Sequence, residues 1–238
     1  MKTITIILAI LAIVLLIVDG LLMFKPKTTE LPEETAIQLA KQTTIIRPSF
    51  ATTQEIDKLL KGTRMTGLGW ALKVAEEETG VPADFMWALA LQESHLGNNN
   101  KWSLPPYNNP YSWDITEKGP GPEAKFNSIS DCILFVAQKL KKYYLTPGAV
   151  YYKGETPQSV AVYYCGGDDI AWYTGILNGM KTFQASLTES KRAKIWIMES
   201  RVLCGDAPAP QFFVNEEEYW KDKISWVIAL YRINGGRI

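Results

Sequence analysis

The sequence predicts a mainly α-helical protein with a small irregular or β-hairpin lobe, preceded by one transmembrane helix. Three observations carry this. Residues 1–24 are almost wholly apolar. From Thr52 onward, apolar residues recur at helical spacing between recognisable caps. Residues 98–126 break that rhythm with prolines, glycines, asparagines and aromatics, the composition of loops and at most a short hairpin. The composition narrows the function classes. Across 238 residues, 25 Lys and Arg balance 25 Asp and Glu, against the basic excess of a nucleic-acid binder. A single His excludes a multi-His metal site, and three Cys without a C-x-x-C pair argue against a zinc ribbon. Neither a metal nor another cofactor is expected.

The apolar run from Ile4 to Val18 is interrupted only by Thr5, and continues after Asp19-Gly20 through Leu21-Leu22-Met23-Phe24. It spans about 21 residues, enough at ~1.5 Å per residue for a hydrocarbon core of ~30 Å. A cleaved signal peptide with Lys2 as its charged region is the alternative. No A-x-A-like site or lipobox cysteine follows, so an uncleaved anchor over 1–24, inserted in the lipid bilayer, is expected. Lys2 before the run and Lys25 and Lys27 after it leave the positive-inside rule nearly silent. The N-terminus is expected inside, which places the downstream domain on the extracytoplasmic side. Asp19 then sits near the outer interface, where a charge costs less than the ~3 kcal/mol of the bilayer centre.

Residues 25–52 are polar and carry Pro26, Pro32 and Pro48, which predicts a linker with one helix over roughly 32–43. Thr52 and Glu55 have capping-box spacing, and a short helix to Lys61 is stopped by Gly62. A second helix is expected from Gly67 to Thr79, before Gly80, and a third opens at Pro82. Ser128 and Asp131 cap a fourth, with Ile133, Val136, Ala137 and Leu140 on one face. Thr156-Pro157 starts a fifth, broken at Gly166-Gly167. Asp168 or Asp169 caps a sixth, with Ile170, Tyr173, Ile176 or Leu177, and Met180 inward. Two further helical patterns follow Leu187, separated by Gly205–Pro210. The apolar stretch 224–233 is too short to span a bilayer.

The chemistry is concentrated in Phe85–Gly97. Helical spacing puts Glu93 on the face of Met86, Leu89 and Ala90, which is otherwise apolar. A carboxyl against apolar walls has its charged form disfavoured, so it holds its proton to higher pH. A glycosidic general acid needs that property. The plain alternative is a helix-end Glu turned to solvent before Gly97. Ser94-His95 is not read as a catalytic pair, because adjacent helix residues do not face each other.

Leu60-Lys61-Gly62-Thr63, Gly67-Leu68-Gly69 and Leu91-Gln92-Glu93-Ser94-His95-Leu96-Gly97 resemble glycoside hydrolase family 73, peptidoglycan endo-β-N-acetylglucosaminidases of the lysozyme-like superfamily. Later blocks are similar in order: Asn108-Asn109-Pro110-Tyr111, Phe126–Ile133 with Cys132 in place of the family's Ser, Tyr151–Gly154, the Tyr163-Tyr164 pair, and Asp169, Trp172, Ile176 and Met180. The resemblance covers about residues 59–183. It implies a lysozyme-like domain over 53–186 that acts on peptidoglycan glycan strands, with Glu93 as general acid and a functional Tyr, for which Tyr164 is preferred over Tyr163. Tyr163–Gly167 departs from the family pattern and looks partly like the Ala-x-Tyr-Asn-x-Gly motif of lytic transglycosylases.

An inverting hydrolase also needs a general base across the sugar. Asp114, Glu117 and Glu123 are the candidates, with Glu123 preferred because it precedes the Phe126 block. A transglycosylase needs no such base. Trp102, Tyr107, Tyr111 and Trp113 are candidates for stacking on sugar rings, and Asn108 and Asn109 for bonding N-acetyl groups. With Tyr163 and Trp172, the substrate-binding set is Asn109, Tyr111, Trp113, Tyr163 and Trp172. Cys132, Cys165 and Cys204 allow one disulfide and one free thiol, with the pair undetermined. The extension 187–238, with Trp196, Trp220 and Trp226, is read as a surface for an envelope or virion protein partner. Three functions stay open: a membrane-anchored glucosaminidase, a lytic transglycosylase, and a non-catalytic glycan-binding scaffold.

Overall fold

The computed structural model describes residues 43–188 together with 191, 192, 194 and 195. The anchor expected over 1–24, the first part of the linker with its helix, Cys204 and nearly all of the C-terminal extension lie outside the described residues. Those described form a mainly helical domain: α1 Thr53–Leu60, α2 Gly69–Thr79, α3 Ala83–Ser94, α4 Ile129–Tyr143, α5 Pro157–Tyr164 and α6 Ile170–Ala185. Among the described residues, no helix is long and apolar enough to cross a membrane.

The caps account for the helix starts. Thr52 accepts from the Glu55 amide at 3.3 Å and the Glu55 carboxylate accepts from the Thr52 amide at 2.8 Å, a complete capping box. Ser128, Thr156 and Asp169 each accept from an amide in the first turn of α4, α5 and α6. Gly80 ends α2 in the left-handed region, where a Cβ is unfavourable.

Helix α3 is the centre of the core. Every residue from Ala83 to Ala90 is buried, as expected of a helix apolar on all sides. It packs most extensively on α6 and also touches α2, which in turn contacts α1 and α4. The α3–α6 contact is close because Gly179 presents no side chain: a Cβ there would stand 2.8 Å from the Ala88 Cβ. On α4, Ile133, Val136, Ala137 and Leu140 are buried as the periodicity requires. On α6, Tyr173, Ile176, Leu177 and Met180 face inward, but Ile170 is 43% exposed, a correction to the expected face. It occupies the first turn, at the rim of the domain.

Residues 98–126 are irregular, as expected. They contain one 3-10 turn, Lys101–Ser103, and a two-residue hairpin, β1 Ile115–Thr116 and β2 Gly119–Pro120. The strands are antiparallel, with Ile115 opposite Pro120 and Thr116 opposite Gly119.

The expected linker 25–52 is corrected at its C-terminal end. Thr43, Thr44, Ile45, Arg47, Ser49 and Ala51 are buried. Arg47 Nη2 pairs with Asp84 Oδ2 at 2.7 Å, the side chains 1% and 0% exposed, and Gln184 Nε2 donates to the same oxygen at 3.1 Å. The Ser49 hydroxyl donates to Glu76 Oε2 at 2.8 Å, its amide bonds Glu76 Oε1, and Lys73 Nζ pairs with Oε2 at 2.7 Å. Residues expected in a linker are instead joined to α2, α3 and α6. The start of the expected extension packs similarly. Leu187 and Ile195 are buried, and Lys191 Nζ reaches Glu55 Oε2 at 2.6 Å.

Candidate active site

Glu93 lies one residue before the end of α3. The helix stops because His95 and Leu96 take left-handed backbone, with φ of 50° and 57°. The buried Ser94 hydroxyl holds this turn, meeting the Pro110 carbonyl at 2.7 Å and accepting from the Gly97 amide at 2.8 Å. Ser94 is thereby structural and His95 is exposed. The turn leaves Glu93 half-buried.

Trp172 Nε1 donates to the Glu93 carboxyl at Oε1 at 2.7 Å, and the Ser112 hydroxyl is a second, lesser influence that favours its charged form. Burial raises its proton affinity and the two donors lower it; burial is the larger effect, so Glu93 titrates above the ordinary carboxylate range. Trp172 is set by its own cap: Asp169 Oδ1 accepts from the Trp172 amide at 3.0 Å. Tyr164, at the end of α5, donates to the Tyr111 carbonyl at 2.7 Å, and its ring lies 5.6 Å from that of Trp172. Burial, and secondarily the charge of Glu93, push the Tyr164 phenol well up, so it is a neutral donor.

Beside this group is an open cleft of about 740 Å³, lined by Trp113, Glu123, Lys139, Tyr144, Tyr163 and Tyr164 among others. Trp113 makes edge contacts with Phe135, Tyr144 and Tyr164, all with centroids 6.1–6.3 Å apart. Tyr163 is 43% exposed and packs on Tyr151 at 5.2 Å. Burial pushes the Tyr144 phenol up to about 12. Ser112 is in the lining and also bonds Glu93, so the acid adjoins the cleft through this residue rather than lining it.

The predicted residues therefore divide. Trp113, Glu123, Tyr163 and Tyr164 share the cleft; Glu93 and Trp172 are bonded to each other next to it. Glu123 is ion-paired with Lys139 Nζ at 2.5 Å and accepts from Trp113 Nε1 at 3.3 Å. The Lys139 hydrogen bond, the largest effect, and that of Trp113 outweigh desolvation and hold its pKa below the usual range. Asn109 and Tyr111 are 0% exposed and are not in the lining. The Asn109 amide donates to the Trp113 and Ala124 carbonyls at 2.8 and 3.1 Å, and its Oδ1 accepts from the Trp113 amide at 3.0 Å. It shapes the loop that carries Trp113. Asn108 likewise bonds the Phe126 carbonyl at 2.9 Å. Trp102 and Tyr107 pack edge-on at 4.8 Å, outside the lining. Asp114 accepts from the Glu123 amide at 2.8 Å.

Sequence reading missed Ser112, Lys139 and Tyr144. The four-residue spacing of Phe135, Lys139 and Tyr143 was a usable signal, since it puts them on one stripe of α4. In the structure Lys139 Nζ stands 4.7 Å from the Phe135 ring centroid and 5.5 Å from that of Tyr143. Nothing local marked Ser112, whose φ is 51°. Among the described residues, no group of three His, Cys, Asp or Glu side chains is placed to hold a metal ion. Cys132 and Cys165 are both free thiols, one buried and one exposed. Compared with protein-family models and with curated proteins, the chain gives no match.

Proposed function

We propose that this protein is a lysozyme-like peptidoglycan hydrolase. It cleaves the β-1,4 glycosidic bond of the glycan strand as an endo-β-N-acetylglucosaminidase, with Glu93 as general acid. The observation that carries the reading is the half-buried Glu93 carboxyl, its proton affinity raised, beside a cleft walled by aromatic rings. The Glu93 proton passes to the glycosidic oxygen as the C1–O bond breaks; water adds to C1 and passes its proton to the Glu123 carboxylate, the general base. Trp113 and Tyr163 offer ring faces and edges to uncharged sugars. The N-terminal apolar segment supports a membrane-anchored protein whose domain faces the cell wall.

One observation favours a second reading. Glu123 is held by Lys139, which makes it a weak proton acceptor. Attack at C1 by the sugar's own C6 hydroxyl in place of water, its proton returning to the Glu93 carboxylate, gives 1,6-anhydro products and needs no second carboxylate as base.

The test incubates the full chain with purified peptidoglycan and weighs the released fragments by mass spectrometry. Glu93→Gln is expected to lower turnover by about 100-fold or more, the range for a general acid. Fragments lighter by one water select the transglycosylase. Equal turnover by wild type and Glu93→Gln removes Glu93 from the chemistry, and binding without turnover by wild type leaves a glycan-binding scaffold.

A further inference from the structure

The two oxygens of Glu93 are not equivalent. We propose that the Trp172 indole reserves Oε1 as an acceptor and so confines the catalytic proton to Oε2. The proposal rests on the reading of Glu93 as general acid. It makes Trp172, expected from sequence to bind sugar, a positioning residue.

An indole N–H donates and cannot accept. At 2.7 Å from Trp172 Nε1, Oε1 must present a lone pair; a hydrogen on that oxygen would compete with the indole. The indole is itself held. Trp172 is 6% exposed, its amide is capped by Asp169, and its ring lies against Tyr164. Asn100 Oδ1 accepts from the Trp102 amide at 2.8 Å, which orients the side-chain amide. Its Nδ2 then donates to Ser112 Oγ at 2.8 Å. Ser112 is the lesser of the two donors that lower the Glu93 proton affinity. The titratable groups that feel the Glu93 charge are Tyr164, at the end of α5, and Cys165 after it. Burial raises both, so both are neutral near pH 7 and neither sets the Glu93 proton.

The experiment follows the Glu93 carboxyl by carbon NMR in the full chain labelled at glutamate, for wild type, Trp172→Phe and Ser112→Ala. Trp172→Phe keeps a ring and removes the donor. Its Glu93 midpoint is expected to rise by about one pH unit, the scale of one hydrogen bond to a charged group. The basic limb of the pH–rate profile is expected to move with it, and kcat to fall more than KM. Ser112→Ala is expected to shift the midpoint in the same direction by less, and serves as the test should Trp172→Phe not fold. An unmoved midpoint in a folded variant overturns the proposal. The two readings separate cleanly: a midpoint that moves in a chain without turnover supports the hydrogen-bond assignment and rejects the proposed activity.

Discussion

Gly179→Ala tests whether the packing of α3 against α6 sets the geometry around Glu93. The new Cβ would stand 2.8 Å from the Ala88 Cβ and 3.1 Å from its Cα. Carbon atoms prefer ~3.5–4.0 Å, so the helices must part by roughly 1 Å, and neither Ala88 atom can swing aside. Overpacking of this kind costs about 1–3 kcal/mol, while Ala over Gly in a helix returns about 1 kcal/mol. The expected net destabilisation is about 1 kcal/mol. The same displacement lengthens the Trp172–Glu93 hydrogen bond, since Trp172 and Glu93 lie on these two helices within about two turns of the contact. Urea unfolding of wild type, Gly179→Ala, Ala88→Gly and the double variant supplies a complete cycle. The double variant is expected to be more stable than the sum of the singles by about 1 kcal/mol or more. If Gly179→Ala is instead more stable than wild type by about 1 kcal/mol, propensity alone has acted, the helices have slack, and the argument from close contact is wrong.

Asp84→Ala removes the carboxylate that Arg47 and Gln184 share, and is expected to cost about 3–5 kcal/mol in denaturant unfolding, as when one partner of a buried pair is deleted. A cost under about 1 kcal/mol would mean the 43–51 segment contributes little to the domain. Glu93→Gln is expected to change stability as well as turnover, with a definite pH dependence. The folded state holds the Glu93 proton above the pH at which the unfolded chain releases it, so wild type loses stability as pH rises from the ordinary carboxylate range through the raised folded value. Gln has no such loss. The gap in stability between Glu93→Gln and wild type should therefore favour the variant increasingly over that window and be constant above and below it; a flat difference across the window contradicts the raised proton affinity.

The helices were legible because their signals are local. Thr52 with Glu55, Thr156 with Pro157, and Asp169 each mark a start within one turn, and Ile133–Leu140 carry their period in the chain itself. The apolar face of Met86, Leu89 and Ala90 likewise gave the burial of Glu93. What periodicity does not carry is pairing over distance. Nothing near Arg47 or Asp84 announces the other, so residues 43–51 fall within the expected linker. Trp172 was expected at the sugar for the same reason: only the fold brings its indole to a carboxyl on another helix. Asn109, a polar residue in a loop, resembles a ligand group until the three main-chain groups it serves are seen. Ser112 depends on a left-handed backbone that its sequence neighbours do not specify.

The path of the chain at the edges of the domain has a further consequence. Phe50 and Glu55, before and within α1, meet Lys194 and Lys191, beyond α6, through a cation over a ring at 5.5 Å and an ion pair at 2.6 Å. A tension applied between these two segments would load the ring and ion-pair fastening first, as opening a zip from its end.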